Sequence, residues 1–193
     1  MCLRSRRHSF ILASCFWALL TSPACLWANS DIAKAIITKA QTRLVNDVYL
    51  LDAITTLSLS ESMLNALDNG ISLTVSANIK IIRPRMLWFD NIVKDISKQY
   101  ELKYYDLSER YILTDLKTGE KKQFRTHTSA LTALGDIQDY PLISLEALDK
   151  NARYAGELSY SLHINKLPTP LRLKAYLFKD WHLTGETYRW RLQ

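Results

Sequence analysis

Apolar and polar residues alternate without a break from Ile71 to Ile81. Ile71, Leu73, Val75, Ala77, Ile79 and Ile81 fall on one side, and Ser72, Thr74, Ser76, Asn78 and Lys80 on the other. A period of two marks a half-buried strand. One apolar and one polar face place it in an antiparallel sheet whose second face is wet, not in a parallel sheet covered on both sides. Arg83-Pro84-Arg85 stops the pattern, since proline has no N–H for a ladder, and the aromatic knot Met86-Leu87-Trp88-Phe89 follows.

The same pattern recurs on either side. Ile36 to Leu59 reads as strand, turn, strand: Thr38, Ala40, Thr42 and Leu44 alternate with lysine, glutamine and arginine, and Asn46-Asp47 is the turn. Tyr49, Leu51, Ala53, Thr55, Leu57 and Leu59 share one face of the second strand. Ser58 with Glu61 has capping-box spacing and Ser60 is an alternative N-cap. Leu64 and Leu67 then sit three apart on a short helix that Gly70 ends. After Phe89, "DNIVKDISKQY" reads as a helical turn or a connector. "YELKYYDLSERYILTDLKTGEKKQF" holds three strand-like pieces, with Thr118-Gly119 as a hairpin signal.

Thr126 or Thr128 caps a helix bearing Leu131 and Leu134, and the short apolar piece "PLISLEAL" follows. Tyr154, Gly156, Leu158, Tyr160 and Leu162 line another strand, "KLPTP" breaks it, Leu171–Phe178 fits helix or strand equally, and Trp181 to Leu192 closes the chain as a strand. Seven to nine strands with two or three short inserted helices, and no Gly/Ser- or Pro-rich linker, make one α+β domain. It is mostly antiparallel β, a sandwich or a strongly curled sheet, over residues 29–193.

The pattern at the N-terminus is different in kind. Arg4, Arg6 and Arg7 precede the apolar run Phe10 to Leu20, and small residues follow in "TSPACLWANS". That order is a secretory signal peptide over residues 1–28, cut after Ala24 or Ala28. The apolar run through Trp27 approaches the roughly 18–20 residues that span a bilayer, so an uncleaved anchor is the alternative. "SPAC" also invites a lipid anchor at Cys25, but Ser22 and Pro23 are poor lipobox residues. The expected location is the periplasm, or a membrane face turned toward it.

Composition changes the picture in two ways. Cys2, Cys15 and Cys25 all lie in or beside the leader, so the domain has no internal disulfide, thiol nucleophile or Cys-based zinc site, and about 165 residues must hold together by core burial. Removing Arg4, Arg6 and Arg7 from 25 basic residues leaves 22 against 19 acidic, near +3. With no long basic stripe, nucleic acid is not an expected partner.

Candidate chemistry is sparse. His127, His163 and His182 lie far apart with no ligand-like spacing. No G-x-S-x-G elbow occurs, and five glycines in the whole chain build no phosphate loop. No catalytic, metal or cofactor-binding residue is therefore nominated, and no cofactor is implied. Arginine and aromatic usage stands out: Arg83, Arg85, Trp88 and Phe89 end the best strand, and Trp181, Tyr188, Arg189, Trp190 and Arg191 crowd the C-terminus. Arg and Trp dominate protein–protein hot spots, which makes Arg83, Arg85, Trp88 and Phe89 partner-binding candidates. The plainer reading is that tryptophans cap an open end of the core.

The order "ALDNGISLTVSANIKIIRPRMLWFD", "YELKYYDLSERYIL", "TGEKKQF", "ALTALGDI", "LPTPLRLKAYL" and Trp181-His182-Leu183 resembles an uncharacterised family of exported proteobacterial proteins known only as a domain of unknown function. The likeness spans nearly the whole mature chain. Its most distinctive piece is Asn69-Gly70 leading into the strand that Arg83-Pro84-Arg85 ends. Relatives carry a longer tryptophan run where this chain has Met86-Leu87-Trp88-Phe89. The resemblance implies export and one β-rich domain. It brings no activity, cofactor or catalytic residue, and members' frequent neighbourhood with a membrane sensor kinase and its regulator implies, by association, an envelope role in sensing. The leading expectation is a non-enzymatic envelope protein that binds a protein partner, at the membrane surface, through its Arg/Trp-bearing sheet end. The alternatives are a lipid or envelope-ligand carrier with an apolar cavity, and a hydrolase whose site assembles only in three dimensions.

Overall fold

The structure, a computed structural model, describes residues 32–85, 89–183 and 185–192. The segment expected to be a signal peptide, Cys2, Cys15 and Cys25, and Trp88 lie outside the described residues.

Asn46 and Asp47 both take positive φ, 47° and 60°. Two such residues make the type I′ turn whose twist matches that of paired strands, and they join β1 (Lys34–Val45) to β2 (Val48–Ser58). The alternation expected of β1 is offset by a bulge between Ile37 and Lys39, where Thr38 turns outward and gives its hydroxyl hydrogen to the Ile54 carbonyl. Leu51, Ala53, Thr55 and Leu57 of β2 all face the core.

Helix α1 (Glu61–Asp68) starts at Ser60, whose Oγ accepts from the Met63 N–H at 3.2 Å; Ser58 is still in the ladder opposite Lys34 and caps nothing. Gly70, at φ 78°, ends it. Its N–H donates to the Leu67 carbonyl and that of Ile71 to Ala66, the paired bonds of a Schellman motif.

The chain then enters β3 (Leu73–Arg83), the centre of a six-stranded sheet that also contains β4 (Asn91–Tyr105), β5 (Arg110–Asp115), β6 (Lys121–Phe124), β8 (Ala155–Leu162) and β9 (Tyr188–Arg191). Its order is β6-β5-β4-β3-β8-β9, while β1, β2 and β7 (Asp136–Ser144) form a three-stranded sheet; every pairing is antiparallel. The expected α+β class, dominated by antiparallel sheet, is what the chain adopts.

Three local expectations change. "DNIVKDISKQY" is neither helical turn nor connector but the first part of β4, the longest strand. A bulge at Val93, between the pairs Ile81–Lys94 and Ile82–Ile92, shifts the period, and Ile92 with Ile96 mimics helical spacing. Leu171–Phe178 resolves into α3 (Thr169–Leu177) with Phe178 just past its end. The closing strand shortens to Tyr188–Arg191, preceded by a 3-10 turn at Lys179–Trp181.

The outer face of β3 is wet only in its middle. Asn78 there donates to Ser161 Oγ and accepts from Ser97 Oγ, whereas Thr74 and Ser76 are buried where the 3-10 turn Ile164–Lys166 crosses β3. Inward residues of both sheets, among them Leu51, Leu57, Leu73, Ile79, Ile81, Leu102 and Leu158, form one core cluster. Each such side chain contributes about 1.5–3 kcal/mol by leaving water, which is how a domain without cysteine bridges holds. Helix α2 (His127–Gly135), N-capped by Thr126, plugs the side between β6 and β7 with Ala130, Leu131 and Leu134.

The α2–β7 junction tolerates only glycine. A Cβ at Gly135 would lie 2.0 Å from the Thr55 carbonyl oxygen of β2, so helix and sheet meet backbone to backbone. Gly135→Ala is expected to lower unfolding stability by about 1–3 kcal/mol, the usual cost of forcing atoms into a packed interior. The urea midpoint measures it.

Candidate functional site

Beyond Arg83 the β3–β4 connection, the segment leading into β8, the end of β9 and the start of β2 converge on one end of the sandwich. They enclose a cleft of about 870 Å³ lined by Tyr49, Pro84, Leu148, Ala152, Arg153, Tyr154, Ala155 and Arg189 to Leu192. The β8–β9 pairing builds its wall. Gly156 stands opposite Trp190, and a Cβ there would fall 2.2 Å from the indole Cζ2. The indole therefore lies directly on the bare backbone of β8, and Trp190 is buried. An aromatic covering a cross-strand glycine restores the packing that the glycine gives up.

Charge around the cleft is ordered by carboxylates. Arg189 faces Glu157 across the ladder and donates from Nε to its Oε1 at 2.9 Å and from Nη2 to Asp90 Oδ2 at 2.9 Å. The hydrogen bond to Glu157, with Asp90 adding its charge, pushes the Arg189 guanidinium further up from its ordinary value. Asp90 also accepts the Arg85 backbone N–H at 3.2 Å, so one carboxylate ties the β3–β4 connection to β9. Arg83 Nη1 lies 3.6 Å from Asp149 Oδ2. The Asp149 N–H in turn donates to the Tyr154 hydroxyl. Arg153 and Arg191 line the cleft with no ion pair among the described residues.

Of the residues nominated from sequence, Arg83 and Arg85 stand at this end beside Pro84, and Phe89 is 97% exposed next to Asp90. Trp88 lies outside the described residues. The structure brings Arg83-Pro84-Arg85 and Arg189-Trp190-Arg191 together, but not Trp181, which is buried at the opposite end where α1 and α3 meet the 3-10 turn Lys179–Trp181. Both described C-terminal tryptophans are core residues. Arg153, Tyr154, Leu148 and Tyr49 escaped sequence reasoning. Only the pairing of Ala155 with Arg191 makes Arg153 their neighbour.

A second cleft, of about 400 Å³, opens between β4–β6 and β7. Lys98 Nζ sits 4.3 Å from the Tyr140 ring centroid there, and burial, then Asp115, pushes the Tyr100 phenol up to about 12. Its charges, Lys98 and Lys122 against Asp115, Glu120 and Asp136, are mixed and select no ligand sign.

The three histidines have separate surroundings. His127 meets the Tyr111 ring edge-on, His182 Nδ1 contacts the Phe178 carbonyl, and His163 Nε2 contacts Ser76 Oγ. The serine of this pair, Ser76, is fully buried, and a nucleophile needs access to its substrate. No group of three metal-holding side chains occurs among the described residues.

The family model for a domain of unknown function, DUF4390, matches residues 33–191, and the chain belongs to that family. No curated protein and no solved structure matches the chain.

Burial, with Lys166 nearby, holds His163 below its ordinary value of 6.5. The unfolded chain therefore takes up a proton that the folded chain resists. Above the ordinary value His163 has no effect on pH dependence; as pH falls through it, the unfolded state binds more protons and stability drops. The urea midpoint should fall between about pH 7.5 and 5.5, and His163→Asn should flatten that fall while lowering the midpoint at the higher pH.

Proposed function

We propose that this protein is an exported envelope module, facing the periplasm, that binds an acidic segment of a protein partner in the Arg/Trp cleft. The carrying observation is the pair of guanidinium groups, Arg153 and Arg191, that make no ion pair among the described residues and stand on a cleft floored by Trp190 and Leu148. Arginine presents a planar fork that takes a carboxylate two-handed. Arg189 is already engaged by Glu157 and Asp90 and serves as the strut that fixes the wall. The fully exposed Phe89 extends the contact past the rim. Support for export comes from the charge–apolar–small order of residues 1–28.

A carrier reading draws on the size of the same cleft, which falls in the range of small-ligand sites. Its walls of Tyr49, Leu148 and Leu192 beside two arginines would suit an amphipathic anion.

The experiment uses whole cells and a photoreactive residue at Phe89. A crosslinked protein should be captured in the wild-type background and lost in Arg153→Glu/Arg191→Glu, with the melting temperature within a few degrees of wild type. Truncating an interfacial charge and reversing it commonly costs tenfold or more in affinity, about 1.4 kcal/mol. Capture that survives the double charge reversal in a normally folded protein would sink the cleft as the binding site.

A further inference from the structure

Helix α3 shows water the wrong face. Only Ala175 is fully buried, with Leu171 beside it one turn back, while Leu173, Tyr176, Leu177 and the following Phe178 are 66%, 63%, 70% and 56% exposed. Positions 173, 176 and 177 share one side of a helix by their spacing of three and four. The helix has no side-chain N-cap and spans nine residues, too short to hold without contacts. Arg172 helps tether it by donating to the Leu167 carbonyl. A contiguous apolar stripe of this kind on a folded surface marks a contact with something else.

Two further observations say what it contacts. Lys174 and Lys179 border the stripe, exposed and in no ion pair among the described residues. The one acidic residue of the segment, Asp180, is turned away, accepting from Ser62 Oγ of α1 at 2.6 Å. Leucine, tyrosine and phenylalanine flanked by lysines suit a lipid headgroup boundary, where the stems of the lysines lie along apolar surface and the ammonium groups reach phosphate. The second observation is where the chain begins. β1 starts at Lys34 opposite Ser58, the residue that leads toward α1, and α1 and α3 both pack on the 3-10 turn Lys179–Trp181. The first described strand therefore starts at the α3 end. The β4–β5 tip, at the same end of β3, carries the exposed Leu107 between Asp106 and Glu109.

We propose that α3 seats on an anionic bilayer surface, with Leu173, Tyr176, Leu177 and Phe178 entering the headgroup boundary and Lys174 and Lys179 binding lipid phosphate. The strand β3 runs from this end to Arg83, about 35 Å at the usual rise per residue. Membrane contact at α3 holds the arginine cleft away from the lipid. The inference stands on α3 alone and does not depend on the reading of the cleft.

The test uses the full chain with Cys2, Cys15 and Cys25 replaced by serine and an environment-sensitive fluorophore on a cysteine at position 177 or, as control, at position 89. Lipid binding by residues 1–31 does not depend on Lys174 and Lys179, so the reversal of those two lysines separates it from seating of α3. With phosphatidylglycerol vesicles, the probe at 177 should shift to the blue and the probe at 89 should not. Lys174→Glu/Lys179→Glu should weaken the shift at 177 by about tenfold or more in lipid concentration, each lysine acting through the surface potential. The shift should shrink likewise on phosphatidylcholine. Three results would overturn the proposal: no shift at 177, an equal shift at both positions, or a shift that needs no lipid and grows with protein concentration. The last would assign the stripe to a second copy of this chain.

Discussion

The burial of β3 is the constraint on which everything else hangs. Its inward residues, Leu73, Val75, Ala77, Ile79 and Ile81, are all but closed to solvent and belong to the same cluster as Leu51, Ala53 and Leu57 of the other sheet. It also pairs along nearly its full length with β4 and β8. A strand held on three sides cannot slip by one residue without moving five apolar side chains out of the core. Register is therefore fixed, and with it the position of whatever is attached at each end. At one end Thr74 and Ser76 are roofed by the 3-10 turn that leads into α3. At the other, Arg83 and Pro84 deliver the β3–β4 connection to β9 through Asp90.

What the chain reveals before folding is what local chemistry enforces. The alternation of Ile71 to Ile81, the Asn46-Asp47 turn, the Thr126 cap and the Gly70 stop each have a cause within a few residues, and each appears where expected. Features that fail the same reading are those decided by partners distant in sequence. Val93 bulges because Ile82 pairs with Ile92 and Ile81 with Lys94, a relation invisible in "DNIVKDISKQY". Leu171 to Leu177 is helical because Leu171 and Ala175 find a surface one turn apart, not because its composition prefers helix over strand. Family membership over residues 33–191 adds boundaries and no chemistry.

The candidate site divides along the same line. Arg83, Arg85 and Phe89 were visible as a local concentration of arginine and aromatic residues after a clean strand. Arg153 was not, since it lies 36 residues before Arg189 and joins it only through the β8–β9 ladder. In the alternating pattern Gly156 is one more residue of a strand face, yet it is the position that lets Trp190 lie on the backbone and floor the cleft. A glycine opposite a tryptophan carries no signal until the strands are paired.

The division of labour among the arginines is the last step. Side by side they would repel one another, and a cleft of free guanidinium groups would be floppy as well as cationic. Glu157 and Asp90 resolve this by engaging Arg189 from two sides, and Asp149 by approaching Arg83. The remaining pair, Arg153 and Arg191, makes no ion pair among the described residues and stands on a wall that is already braced. Two long side chains then give up freedom on binding, while the backbone and the indole beneath them do not have to be ordered again. The same logic runs in reverse at α3, where the acid is turned inward on Ser62 and the lysines are left outside. Around Arg189 and beside α3 the nearest carboxylates, Glu157, Asp90 and Asp180, are engaged internally, and positive charge is left beside apolar surface.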